Sequence, residues 1–278
     1  MENYTQRHQY GIVGEMKQDN TRKNAIYLVE RKDNGGLYIS KTGRGKVQTL
    51  LIYSEILALR RLNHPNIAKM VDSSLDLYSM LGKVYLEYYE AGDLKALIEE
   101  QRMTGKLFQF DTVREVFTNI CAALAYCHHG IRTPDANPAP DWNPIIHRDL
   151  KTDNIFLRRD NSVPGGLVAV LGDFGWSTEK YTARHDPRAP TGDPNWVAPE
   201  APNTTAQSDV YGLSLIIGCM TQLAMLPREL RNGDGPDRWA VPQEYGKRMN
   251  VLVIMASEPS PSRRPNSQEL SKELSRGW

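Results

Sequence analysis

Near its start the chain carries three short apolar-rich runs. YGIVGEM (10–16), AIYLVER (25–31) and GLYISK (36–41) are rich in β-branched and aromatic residues and read as strands. Asp33-Asn34-Gly35-Gly36 between the second and third supplies a hairpin turn. The period then changes. VQTLLIYSEILALRRL (47–62) puts apolar residues at helical spacing, and Asn63-His64-Pro65 ends that helix. VYLEYY (84–89) predicts another strand, followed by the flexible pair Ala91-Gly92. DLKALIEEQ (93–101) and DTVREVFTNICAALAYCHH (111–129) predict helices, the second with Asp111 as its N-cap. Strands therefore dominate residues 1–90, with one main helix, and helices dominate 91–278. The expected fold class is α+β, in two lobes, a small β-rich one and a larger helical one, joined by a hinge near 87–92.

Composition narrows the function classes. The 278 residues carry a net charge of +1, with 40% hydrophobic and 24% charged residues, ordinary for a globular chain and without a global drive toward nucleic acid or an anionic membrane. No apolar run reaches the roughly 18–20 residues that span a bilayer. The opening stretch MENYTQRHQYGIVG lacks the apolar centre of a signal peptide. Cys121, Cys127 and Cys219 show no metal-binding spacing and are expected as reduced core residues, which points to a cytoplasmic or nuclear setting. Residues 131–145 hold four prolines and read as a surface loop.

Chemistry concentrates after that loop. IIHRDLKTDNIFL (145–157) contains His-Arg-Asp-Leu-Lys-x-x-Asn. Asp173-Phe174-Gly175 follows the apolar strand VAVLG, then come Ala198-Pro199-Glu200, Ser208-Asp209-Val210-Tyr211 and Arg264-Pro265. In order and spacing these motifs resemble the protein kinases over nearly the whole chain, and the DFGWS stretch and the proline-rich insertion are most similar to NIMA-related and Aurora-like serine/threonine kinases. The resemblance implies a single kinase domain over 1–278, ATP and Mg2+ as cofactors, and a protein substrate.

The resemblance also assigns roles. Phosphoryl transfer needs a held nucleotide, metal to neutralise phosphate charge, and an oriented hydroxyl. Asp149 is the expected base and Lys151 the cation on the transferring phosphate. Asn154 and Asp173 are the expected Mg2+ ligands. Lys41 is expected on the inner phosphates, held by Glu55. Glu87 to Tyr89 would meet the adenine edge with Leu86 behind it, and Ile26 and Ile39 would line the adenine site. Asp93 has two readings, a ribose contact or the cap of the following helix. His147 and Arg148 read as architectural, Glu200 and Arg264 as a buried ion pair, and Asp209 as a brace for the catalytic loop.

Three departures complicate this reading. With Ile26 at the valine of the G-x-G-x-x-G-x-V loop, the three glycine positions fall on Asp19, Thr21 and Asn24. Glycine lets backbone approach phosphate closely. Asp19 opposes phosphate, while Arg22 and Lys23 favour it. Ile39 replaces the alanine of V-A-I-K and adds bulk. In the segment before Ala198 the usual phosphosite falls on Ala189, and the threonine that normally contacts the base becomes Asp193, which could pair with Lys151. Thr178, Thr182 and Thr191 remain modifiable. The expected activity is transfer of the ATP γ-phosphoryl group to a protein serine or threonine. The alternative is a pseudokinase scaffold that binds nucleotide or a regulatory partner without turnover.

Overall fold

The computed structural model describes residues 6–18, 24–179, 192–230 and 241–278. Five antiparallel strands form its main sheet, β1 (Tyr10–Gln18), β2 (Asn24–Arg31), β3 (Leu37–Arg44), β4 (Met70–Asp76) and β5 (Leu81–Glu87), in the order β1-β2-β3-β5-β4. β2 and β3 close through the expected turn, where Gly35 takes a φ of 67° and the Arg31 N–H donates to the Gly36 carbonyl. β4 went unread in the sequence because MVDSSLD is polar. It is an edge strand, and its Asp72 accepts the backbone N–H groups of Arg7 and His8 at 3.0–3.2 Å.

One helix, α1 (Lys46–Arg61), packs on this sheet through Ile52, Ile56 and Leu59. The approach is close. A Cβ on Gly82 would lie 2.8 Å from Ile52, so both that strand position and Gly43 require glycine for steric room. Leu62 leaves the helical region at φ −93°, ψ 125°, as a residue shortly before His64-Pro65 is expected to do.

The described chain divides into two compact units. The first comprises Met1–Asn63, Ile67–Tyr89 and Asp173–Ser177, and the second His64–Asn66, Glu90–Gly172 and Thr178–Trp278. The second unit contains α2 (Leu94–Thr104), α3 (Phe110–His129), the short strands β6 (Ile145–Ile146), β7 (Ile155–Arg159), β8 (Leu167–Leu171) and β9 (Thr178–Glu179), then α4 (Ala206–Gln222), α5 (Gly246–Ala256) and α6 (Ser267–Ser275). β7 pairs with β8 and β6 with β9. Its core is the wholly buried stripe Val113, Val116, Phe117, Ile120 and Leu124 of α3 against α4, α6 and β8, the spacing of one helix face.

One expectation needs correction here. Asp111 does not cap α3, because the helix begins one residue before it at Phe110, with Gln109 at the cap. Asp111 lies in the first turn and pairs with Arg114 at 3.0 Å. The proline-rich segment 131–145 is the expected surface loop, without helix or strand before Ile145, and it is anchored to the body of the unit. Trp142 donates to the Cys127 carbonyl at 2.8 Å and lies tilted against Tyr126 with ring centroids 5.1 Å apart, and Gln268 donates to the carbonyl of Ala136 at 2.8 Å. The three cysteines are buried and unbridged. Among the described residues no helix is long and apolar enough to cross a membrane.

Candidate active site

In the first unit, strand register decides which side chains share a face. Ile26 is paired directly with Lys41, and Leu28 with Ile39, while on the other side Lys41 and Ile39 pair with Val84 and Leu86. Alternation then puts Ile26, Ile39, Lys41 and Leu86 on the face where α1 packs. There the Lys41 ammonium lies 3.0 Å from Glu55 Oε2 and 2.5 Å from Asp173 Oδ1. Burial alone would lower the Lys41 value, but the Asp173 and Glu55 carboxylates outweigh it and hold the ammonium charged. Burial pushes the Glu55 carboxyl upward, and the Lys41 charge opposes that. Glu55 is fully buried on α1, where an unpaired carboxylate would be strongly unfavourable.

Asp173 takes a left-handed φ of 58° and caps a short turn over Phe174–Trp176 by accepting the Gly175 N–H. A non-glycine residue in this region is strained, and such strain clusters at functional sites. Glu87 lies at the end of β5, and its N–H donates to the Lys69 carbonyl at 3.0 Å. The Tyr89 hydroxyl donates to Glu87 at 3.4 Å. The chain then passes into the second unit. Asp93 caps α2 there, its carboxylate accepting the Ala96 N–H at 2.9 Å. Burial pushes its carboxyl upward, with that N–H opposing.

In the second unit the loop from His147 to Asn154 encloses Asp149. Lys151 Nζ is 3.1 Å from Asp149 Oδ2, and Asn154 Nδ2 donates to the Asp149 carbonyl at 2.7 Å and to Oδ2 at 3.0 Å. The Asp193 N–H donates to Oδ1 at 2.9 Å. Gly192 lies so close that any side chain there would overlap the Asp149 carboxylate. The expected pairing of Asp193 with Lys151 is not made. The Asp193 carboxylate instead accepts the Asn195 N–H at 2.9 Å as the cap of the short turn Pro194–Trp196.

The loop's backbone is held from beneath. Asp209 accepts the N–H groups of His147 at 2.7 Å and Arg148 at 2.9 Å, which steadies the left-handed φ of 69° at Arg148. Burial would raise the Asp209 carboxyl, but the hydrogen bond from His128 and the charges and N–H groups around it hold it below the usual range. His128 Nε2 donates to Asp209 and its Nδ1 accepts from Ser267, both at 2.9 Å. His147 is fully buried, with Nε2 on the Gly172 carbonyl at 2.9 Å. Arg148 donates to Thr204 at 3.0 Å. Glu200 and Arg264 form the expected pair, with contacts of 2.8 and 3.1 Å.

Two members of this arrangement carry no signal in the sequence. His128 ends a helix as an ordinary polar residue, and Gly192 is one glycine in a loop. Asp19, Thr21, Arg22, Lys23, Thr182, Ala189 and Thr191 lie outside the described residues. Asn24 opens β2, and Thr178 pairs with Ile146 in the β6–β9 ribbon.

A family model described as the protein kinase domain matches residues 23–273. The G2-specific protein kinase nimA of Emericella nidulans is 28% identical over 94% of this chain and 38% of its own length. The G2-specific protein kinase fin1 of Schizosaccharomyces pombe is 32% identical over 69% of this chain and 28% of its own length. The serine/threonine-protein kinase Nek2 of Mus musculus is 26% identical over 87% of this chain and 54% of its own length. The chain thus spans between 28% and 54% of these relatives.

Proposed function

The chain belongs to the protein kinase family, and from that premise we propose that it transfers the γ-phosphoryl group of ATP to a serine or threonine hydroxyl of a protein. The observation that carries this reading is the Asp149 carboxylate, held by Lys151 at 3.1 Å and Asn154 at 3.0 Å in a loop whose backbone is braced by Asp209. Bound ATP supplies the phosphoryl group, and Mg2+ offsets the charge on its oxygens. Asn154 and Asp173 each carry an oxygen donor suited to such a cation: the Asn154 amide nitrogen is engaged by Asp149, which leaves its oxygen for a hard cation, and the Asp173 carboxylate is the ligand that the kinase pattern implies.

In this reading Asp149 orients the substrate hydroxyl and takes its proton. Lys151 lies beside that carboxylate and offsets charge as it develops on the transferred group. Lys41, held by Glu55 and Asp173, binds the inner phosphates. Ile26, Ile39 and Leu86 offer an apolar surface to adenine beside Glu87 and Tyr89. Asp93 is engaged as a helix cap, so a ribose contact would use its remaining oxygen. The unbridged cysteines support a reducing setting such as the cytosol or nucleus.

The test is transfer of labelled γ-phosphate from ATP–Mg2+ to a generic basic protein, followed by hydrolysis to identify the modified amino acid. Phosphoserine or phosphothreonine supports the reading. Phosphotyrosine overturns the specificity, and absence of transfer with retained nucleotide binding favours the scaffold alternative.

A further inference from the structure

The five-stranded sheet has a second face, opposite the one that carries Lys41 and α1. Strand register places two cross-strand rows on it, Tyr27–Ser40–Tyr85 and Ala25–Thr42–Lys83. The middle of these rows is built from small side chains. Ala25, Ser40 and Thr42 form a buried floor, and the tyrosine rings stand above it. Tyr10 crosses from β1 and stacks on Tyr85 with ring centroids 4.0 Å apart and planes within 11°. The result is a hollow of about 410 Å³, the size of a site that seats a large side chain or a small ligand.

Arg44 and Lys83 line the hollow, and no carboxylate does. Glu15 and Asp72 end the Tyr27–Ser40–Tyr85 row without lining the hollow, and Asp72 is buried and engaged by the N–H groups of Arg7 and His8. Among the described residues neither cation has an ion-pair partner, whereas Arg31, Lys41 and Lys69 of this unit pair with Asp33, Glu55 and Glu87. Tyr10 keeps its hydroxyl buried without a hydrogen-bond partner among the described residues. Ile12 on the edge strand lines the hollow and is 70% exposed, and Val13 and Met16, at the register shifts of the same strand, are each 55% exposed. Exposed apolar side chains clustered on an edge strand mark an interaction surface more often than a small-molecule site.

We propose that this face of the sheet is a docking site for a protein segment that presents an aromatic side chain flanked by carboxylates. The ring enters between Tyr27 and the Tyr10–Tyr85 stack, over the Ala25–Ser40–Thr42 floor, in edge or offset contact. The flanking carboxylates meet Arg44 and Lys83, which lack partners of their own. The adjoining apolar residues of β1 cover the segment's remaining length. The site is separate from the residues assigned to phosphoryl transfer, so it recruits a partner or substrate protein without occupying them.

The test uses the full chain and a short fluorescent peptide carrying one phenylalanine between aspartates, titrated by anisotropy and mapped by amide chemical shifts. The expected result is saturable binding with shifts at Ser40, Thr42 and Lys83. Replacing the peptide's phenylalanine by alanine, or introducing Arg44→Glu with Lys83→Glu, weakens it at least about tenfold. Both cations sit at the rim, so the doubly substituted chain keeps its melting temperature. Should it fail to fold, Lys83→Gln alone gives the same comparison with a smaller loss. Equal binding of a lysine-flanked peptide, or shifts confined to other residues, overturns the proposal. So does equal affinity for N-acetylphenylalanine, which would indicate a small-molecule site, or a dimer whose contacts fill the hollow. None of these outcomes depends on whether the chain transfers phosphate.

Discussion

Asp149 is held from several directions, by Lys151, by the Asn154 amide and by the main-chain N–H of Asp193. The last contact brings Gly192 against the carboxylate with no room for a Cβ. Gly192→Ala must therefore displace either the Asp149 carboxylate or the segment. Steady-state assays are expected to show kcat reduced at least about tenfold, the order set by displacing a positioned group, with the melting temperature little changed. Unchanged kcat would mean that the segment leaves Asp149 during turnover. Ile39 offers a second case. It is half-buried on the face shared with Lys41, where extra bulk typically costs about 1–3 kcal/mol. Ile39→Ala is expected to tighten nucleotide binding by roughly tenfold, measured by titration calorimetry, and weaker binding would show that Ile39 supports the site through packing. At this scale the sequence was legible wherever a residue belonged to a spaced motif. Lys41 and Glu55 were paired through the resemblance to the kinase pattern and stand 3.0 Å apart. His128 and the steric role of Gly192 were not legible, because each acts through a contact made only after folding.

Elements were legible in proportion to how cleanly their pattern follows one period. β2, β3 and α1 appear within a few residues of their expected bounds. β4 was hidden because its buried polar residues, Asp72 and Ser73, interrupt the apolar alternation. The start of α3 was misplaced because Asp111 is a good capping residue by type, whereas packing of Phe110 and its neighbours starts the helix earlier. A cap that does form is found at α6. The Asn266 side chain accepts the Glu269 N–H at 2.9 Å, and Glu269 Oε2 accepts the Asn266 N–H at 2.8 Å, a reciprocal capping box. Asn266→Ala is expected to destabilise the protein by about 1 kcal/mol in denaturant unfolding, and a change below a few tenths would mean that α6 is held by packing alone. The proline-rich segment is a surface loop as composition indicated, but composition does not report that Trp142 finds the Cys127 carbonyl.

For the whole molecule, the second unit rests on buried carboxylates. Burial works against the charged form of Glu200, yet the hydrogen bonds from Arg264 and Ser208 outweigh it and hold the carboxyl below its ordinary range. Asp209 is lowered in the same sense. A group whose value is depressed by folding contributes stability that is present above its unfolded value, about 4. That contribution is lost as pH falls through the folded value. The chain is therefore expected to lose stability steeply below about pH 4. Glu200→Gln leaves Arg264 buried without its charge partner and is expected to cost about 3 kcal/mol at neutral pH. The difference from wild type narrows in acid, where the wild-type carboxylate is itself protonated. Denaturant unfolding at neutral and acid pH measures both, and a constant difference would show that the pair does not carry the pH dependence. The two-part organisation was legible because strand and helix periods segregate along the chain. The return of Asp173–Ser177 to the strand-rich unit was not, since no local pattern encodes it. All of these positions serve one claim, that Asp149 is the base of a working phosphotransferase. The most direct measurement compares wild type with Asp149→Asn for transfer of labelled γ-phosphate from ATP–Mg2+ to a basic protein. Transfer by the wild type, reduced at least about a hundredfold in the variant, is the expected result. Equal rates in the two, or no transfer by either while both bind nucleotide, would contradict it.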